Sequence, residues 1–403
     1  PSSSDDAGNA VLLVSGGTLN NQASGLIQSL VGGGVGTINP RGIEGAIDNF
    51  GTIFVEKDLR LNQTPRNYAN GRLDGGRYVL FEHLQFPNQG ITANAAQLVL
   101  HGGARILDAN RANSLTNLAS IETAGSLELR DNANLSLTGG LSSNGDVSVW
   151  DTSTLNPTGD LLIEAGTLGG NGTIAADVRN QNGTAVPANG GLTVTGVYEQ
   201  SNAATLQIDL NGPPPDQFGF VRAAEALLDG TLSVTVADGY APGGGDLFEI
   251  FDYPSRTGDF ASFTGLDYAP NRLLTTDNTP TGYFLEGDFV SIRVEPFENL
   301  TTTEAGDSVT FSVILDQQPT APVTIGISSS DESEGVVSTD SVTFTPTDWT
   351  PKSVTVTGVD VFQDDGVVAY AIVTGSAVCD DLNFRDFIPV EGWLSNRESE
   401  GIA

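Results

Sequence analysis

Asn49-Phe-Gly-Thr52-Ile53 followed by Leu59-x-Leu61, Asn88-Gln-Gly90-Ile91 followed by Leu98-x-Leu100, and Asn117-Leu-Ala-Ser120-Ile121 followed by Leu127-x-Leu129 are one short phrase written three times. Each copy places a β-branched residue just after a turn-forming Asn or Gly, then two leucines with a single residue between them. That spacing is the period-2 alternation of a half-buried strand, and no helical period runs through it. Asn144-Gly145 and Asn171-Gly172-Thr173-Ile174 continue the turn phrase, while Leu135-x-Leu137 and Val147-x-Val149 continue the strand phrase. A unit too short to bury its own apolar face must stack on its neighbours. The expectation is an all-β chain whose residues 37–186 wind as a right-handed β-solenoid, on the order of six coils of roughly 20–30 residues each. The recurrent asparagines are expected at positive-φ turn positions or stacked in ladders at the corners.

Composition agrees with many turns and little helix: 49 of the 403 residues are glycine and 38% are apolar. The net charge of −33 comes from 50 acidic residues against 17 basic ones. Such a surface repels nucleic acid and anionic membranes and attracts cations. Cys379 is the one cysteine, so an intrachain disulfide framework is excluded, and it reads as a small buried residue. No apolar run reaches the roughly 18 residues a membrane-spanning helix needs. The sequence has no Met and starts at Pro1, so a removed or omitted leader is expected.

Residues 1–36 read as a polar tail and a first strand, Ala10–Val14, which serves either as the first rung of the stack or as a strand that pairs with another subunit. Leu26 to Leu30 is expected to form one amphipathic turn, broken by the glycine run Gly32–Gly36. Residues 187–294 change character: clean alternating strands such as Leu206-Gln-Ile208-Asp-Leu210 and Leu232-Ser-Val234-Thr-Val236 are split by Gly212-Pro-Pro-Pro215 and Gly243-Gly-Gly245. The succession Gly191-Leu-Thr-Val-x-Gly-x-Tyr198-x-Gln200, Ala204-Thr-Leu-x-Ile208, Ala226-x-Leu-x-Gly230-x-Leu-x-Val234 and Gly245-Asp246-x-Phe-x-Ile250 resembles the end of autotransporter-like passenger β-helices. By that resemblance this stretch is a β-sandwich-like cap region.

From 295 to 403 a third pattern runs: Thr303-Glu304-Ala-Gly306, Val309-x-Phe311-x-Val313-x-Leu315, Val323-x-Ile325-x-Ile327, Ser341-Val-Thr-Phe344, Val354-x-Val356-x-Gly358 and Asp365-Gly366-x-x-Ala369-Tyr370. These are alternating strands at sandwich spacing. Together they resemble a Calx-β domain, an Ig-like sandwich found in large bacterial surface proteins. The resemblance implies Ca²⁺ held between loops at one end. Carried over residue by residue, its ligands are Glu304, Asp331, Asp360, Asp364, Asp365, Glu398 and Glu400, since hard Ca²⁺ needs six to eight convergent oxygens. Val361 and Val367 stand where two further Asp are common.

Signals for catalysis are sparse. His83 and His101 fall in different repeats, and no H-x-x-x-H, C-x-x-C or G-x-S-x-G phrase is present. Carboxylates on neighbouring rungs, Glu44, Asp48, Glu56, Asp58 and Glu82 with Lys57 and Arg60 nearby, are candidates for acid–base work on a polysaccharide. The alternation also lets each of them point outward as plain surface charge. The expectation is therefore a secreted, non-enzymatic cell-surface protein, structural or adhesive, whose partners are copies of itself in a filament, sheath or layer. A carbohydrate-active β-helix enzyme is the alternative, as is a monomeric adhesin binding a surface glycan or host protein.

Overall fold

The computed structural model describes residues 11–30, 41–214, 217–243, 245–269, 272–296, 300–360, 366–381, 383–385, 387–389 and 392–397. Among them the chain is entirely strands and turns, with no helix and several sheets. It divides into two compact units. The first comprises Pro1–Ala241, Leu247–Gly265 and Thr276–Leu285, and the second Pro242–Asp246, Leu266–Thr275 and Glu286–Ala403.

In the first unit most strands pair in parallel with one a short distance further along the chain; the short strand Tyr68–Ala69 instead pairs antiparallel with Arg72–Leu80. One interior column shows the pattern: Ile53 faces Tyr78, then Leu98, Leu127, Val147, Leu168, Ala185, Leu206 and Leu232. All nine are 1% exposed or less. Leu127 and Leu129, the two leucines of the phrase, point inward, and the residue between them points out. Parallel strands buried behind such side chains are held by evenly spaced ladders and an apolar interior. The column does not stop at Pro187, where the sequence changes character. Leu232 pairs on to Phe263, which is 40% exposed. The stretch expected as a sandwich-like cap therefore continues the same parallel ladder at least to Thr264, because its alternating strands keep the inward register of the rungs before them.

Two local expectations change. Leu26–Ser29 is a strand paired with Thr52–Val55, since four residues cannot repay helix nucleation but can extend an existing ladder. The phrase asparagines are not the positive-φ residues: among the described Asn only Asn70 and Asn132 take that conformation. Asn49 is buried and accepts a bond from Asn21 Nδ2 at 2.7 Å. A second interior column, Asn94, Ile121, Ser143, Ile163, Asn180 and Gln200, alternates amide or hydroxyl with isoleucine for most of its length. Its polar members satisfy backbone at the corners. Gln200 Nε2, for instance, donates to Asp229 O at 2.8 Å and Thr231 O at 3.1 Å. The column is therefore not a continuous asparagine ladder; the buried Asn–Asn bond between rungs, among the described residues, is that of Asn21 to Asn49. The Ala10–Val14 segment is part of the strand Val11–Asn21, paired with Arg41–Asn49, as a first rung would be; Ala10 and Gly32–Gly36 lie outside the described residues.

In the second unit Ile292–Glu295, Ser308–Leu315, Lys352–Gly358 and Gly335–Val337 form one antiparallel sheet. Leu300–Thr303 runs parallel to Gly392–Arg397, which continues antiparallel through Val367–Thr374, Val323–Ser329 and Ser341–Phe344 into a second sheet. Val313 and Val356 from the first sheet and Ile325, Ile372 and Leu394 from the second share one core. Cys379 is only half-buried; its Sγ donates to Asp381 O at 3.2 Å, and burial pushes the thiol up from its ordinary value.

Candidate functional site

The residues expected to hold calcium divide in two. Asp364, Asp365, Glu398 and Glu400 lie outside the described residues. Glu304 is buried, and its backbone N donates to Arg397 O at 3.0 Å across the strand ends. Asp331 is exposed; its Oδ1 accepts from Ser333 N at 3.0 Å, closing its own turn. Asp360 is half-buried at the end of the strand Lys352–Gly358. Sequence reasoning passed over Glu334, buried in the same turn region as Asp331. Asn396 Nδ2 donates to Glu334 Oε2 at 3.3 Å and to Val359 O at 3.0 Å, while its Oδ1 accepts from Thr302 Oγ1 at 3.0 Å. The Tyr370 hydroxyl meets Thr302 Oγ1 at 3.1 Å. Burial pushes the Tyr370 phenol up; the Thr302 bond opposes this and the Glu334 charge adds to it. Gly335 is glycine because a Cβ there would overlap the Tyr370 hydroxyl. This unit therefore carries a buried polar cluster around the Glu334 carboxylate, and the signal that could have found Glu334 is a Glu beside a Gly at a strand start.

Of the residues named for acid–base chemistry, the structure brings Asp58 and Glu82 together. With His83 they place one ligand atom each within 4.8 Å of one another, the one such convergent set of His, Cys, Asp and Glu among the described residues. Glu44 is exposed, and Asp48 and Glu56 are half-buried on their own strands and turns.

The outer face of the first unit carries a further column. Phe81 follows Leu80 and His101 follows Leu100 in register, and their rings stack at 3.8 Å. His101 pairs with Arg130, whose guanidinium lies 4.9 Å from the Trp150 ring centroid. His101 Nδ1 also meets Asp131 Oδ2 at 2.6 Å. No helix of the described residues is long and apolar enough to cross a membrane.

No protein family matches the chain, and no curated protein does. Three solved structures resemble parts of it. A crystal structure of the apo form of the Calx CBD1 domain covers 28% of this chain and 100% of its own, at 10% identity and a TM-score of 0.23. The E. coli chaperone DraB covers 28% of this chain and 58% of its own, at 14% identity and a TM-score of 0.21. A type I cohesin–dockerin complex from Clostridium thermocellum covers 31% of this chain and 97% of its own, at 12% identity and a TM-score of 0.21.

Proposed function

We propose that this chain is an extracellular structural or adhesive surface protein that associates with copies of itself. Its first unit reads as a right-handed β-solenoid and its second as an Ig-like sandwich of the Calx-β kind. The observation that carries the proposal is the outer edge of the first rung. Among the described residues, Val11–Asn21 and Leu26–Ser29 have a strand partner on one side only. Leu12, Leu13, Leu26 and Leu30 on these strands and just after them are 45%, 65%, 54% and 41% exposed. An unpaired edge with apolar side chains is a template for strand addition from another copy. A charge of −33 keeps copies apart until such edges meet. The test is sedimentation and electron microscopy of the chain beside a Leu13→Lys/Leu26→Lys variant. Lysine on an edge blocks strand addition without disturbing the interior. The proposal expects assemblies from the first and dispersed, folded protein from the second. Dispersed protein from both, or unchanged assembly by the variant, contradicts it.

Calcium belongs to the same proposal. Glu304, Glu334, Asp331 and Asp360 would hold it at the polar cluster of the second unit, with Asp364, Asp365, Glu398 and Glu400. Glu334 fits the role: it is buried, and among the described residues its side chain accepts one bond, from a neutral amide at 3.3 Å, leaving acceptor capacity for a hard cation. When bound, the ion supplies charge neutralisation that ties the loops together.

A second reading, glycan adhesion, is favoured by the outer column of Phe81, His101, Arg130 and Trp150. Aromatic faces and a guanidinium in line suit the apolar faces and hydroxyls of sugar rings. Quenching of Trp150 fluorescence by oligosaccharides, absent in Trp150→Ala, would support it.

A further inference from the structure

We infer that Asp58, Glu82 and His83 form a binding site for one divalent transition-metal ion of the zinc class, clamping two successive rungs of the first unit. The three residues occupy the same corner on adjacent turns of the chain. Leu59 pairs with Leu84 and Arg60 with Gln85, so Asp58 and His83 stand opposite one another just before their strands. The ladder continues through the corner: Leu59 N donates to His83 O at 2.9 Å, and His83 N donates to Asp58 Oδ1 at 3.1 Å. Leu59, Leu61, Leu84 and Phe86 are buried behind it and fix the register. The backbone is therefore set by the interior, and the corner side chains are free to converge.

Three observations point to a cation. Two carboxylates and an imidazole lie within 4.8 Å of one another. Ligands of a tetrahedral zinc ion with bonds of about 2.1 Å stand ~3.4 Å apart, so closure needs side-chain movements on the order of an ångström. Among the described residues no Lys or Arg forms an ion pair with Asp58 or Glu82. Arg60 and Arg111 line the adjoining cavity but make no ion pair there, and Arg105, next in the column, turns away to donate to Asn134 O at 2.8 Å. Finally, His83 Nδ1 is shut off from solvent and has no hydrogen-bond partner among the described residues. A buried polar nitrogen left without a partner is costly, and a metal bond relieves that cost. The cavity that Asp58 and His83 line with Leu59, Gln85 and Leu107 has room for about one water-sized particle.

The donor set selects the metal. Imidazole nitrogen suits zinc and its first-row neighbours, whereas calcium prefers an all-oxygen shell of six to eight ligands. This corner therefore differs in kind from the polar cluster of the second unit, and its filling does not depend on calcium there. Three protein ligands leave at least one position for water.

The test is to strip the full chain with chelator, then dialyse it against Zn²⁺ in the presence of millimolar Ca²⁺ to fill oxygen-only sites. Bound zinc is counted by mass spectrometry and the affinity read by calorimetry. The inference expects one zinc per chain. His83→Ala, Asp58→Asn and Glu82→Gln should each weaken it by more than about tenfold, the order that even an outer-shell change costs. His101→Ala, which alters the only other histidine, should leave it unchanged. Should His83→Ala fail to fold by circular dichroism, the near-isosteric Glu82→Gln decides, together with the visible spectrum of the Co²⁺-loaded protein. No retained zinc, undiminished binding in the three variants, or an equal loss in His101→Ala overturns the inference.

Discussion

Replacing Asn94 by alanine should destabilise the parallel ladder more than trimming the isoleucine beside it. Asn94 is fully buried, and its Nδ2 donates to Ala96 O at 3.0 Å and to Ser126 O at 2.9 Å, while its Oδ1 accepts from Ala96 N at 3.0 Å. It does this where the ladder opens. Asn94 pairs with Ile121 and Gln97 with Ser126, so on that side Ala95 and Ala96 face the turn 122–125 rather than a strand, while Ala95 keeps Asp74 as its strand partner on the other. The side chain stands in for the missing ladder bonds. Removing it strands the two buried backbone groups of Ala96 and the partly buried Ser126 carbonyl, with about 1–3 kcal/mol at stake for a buried group left unsatisfied. Some relaxation and water entry are to be expected, so about 2–5 kcal/mol is a fair range for the whole. Ile121→Val, next in the same column, should cost only ~0.5–1.5 kcal/mol. Urea unfolding followed by far-UV circular dichroism gives both values. Hydrogen exchange of residues 93–101 localises the change, which should appear there first for Asn94→Ala. If Asn94→Ala costs no more than Ile121→Val, the corner amide is not standing in for ladder bonds and the reasoning fails.

Other consequences follow from single side chains. Gly170 sits at φ +103° with the Val149 carbonyl oxygen against it; Gly170→Ala should lose at least about 1–3 kcal/mol, read from the same urea curves. Asn396→Ala removes the amide that joins Thr302, Val359 and Glu334, and should cost roughly 2–4 kcal/mol by leaving a carboxylate buried without its donor. Its thermal midpoint should fall while the first unit's exchange pattern stays as it was. Hydrogen bonds from Arg72 at 2.8 Å hold the Glu122 carboxyl below its ordinary value. A depressed folded-state value means stability that is present above the unfolded carboxyl's pKa of about 4.3 and lost as pH falls through the folded one. Glu122→Gln should therefore flatten the acid limb of a melting-temperature profile. The effect should be small and salt-sensitive, because both partners are well exposed.

The ladder was legible because its signal is local. Leu59-x-Leu61 and Leu127-x-Leu129 need nothing beyond period-2 alternation to declare which side chains go in, and the interior shows those leucines buried. The change at Pro187 misled because Pro and Gly loops alter how the chain turns between rungs without altering the inward register, so Ala185 still passes the column to Leu206. Leu26–Ser29 misled because four apolar-rich residues carry too little pattern to tell a turn of helix from a strand. The pairing of Asp58 and Glu82 with His83 was hidden for another reason. Which corner meets which depends on the length of every intervening loop, and here 23 residues of loop and strand separate Asp58 from Glu82 as a matter of rung length rather than motif. Glu334 was missed because a Glu in an acidic loop looks like solvated charge until its burial is known.

The most direct test of the proposed function is electron microscopy of the purified chain, side by side in millimolar Ca²⁺ and in excess chelator. The account predicts regular filaments or sheets in calcium, and their loss in chelator would add calcium to the assembly contacts. Isolated particles under both conditions would contradict self-assembly through the open first rung.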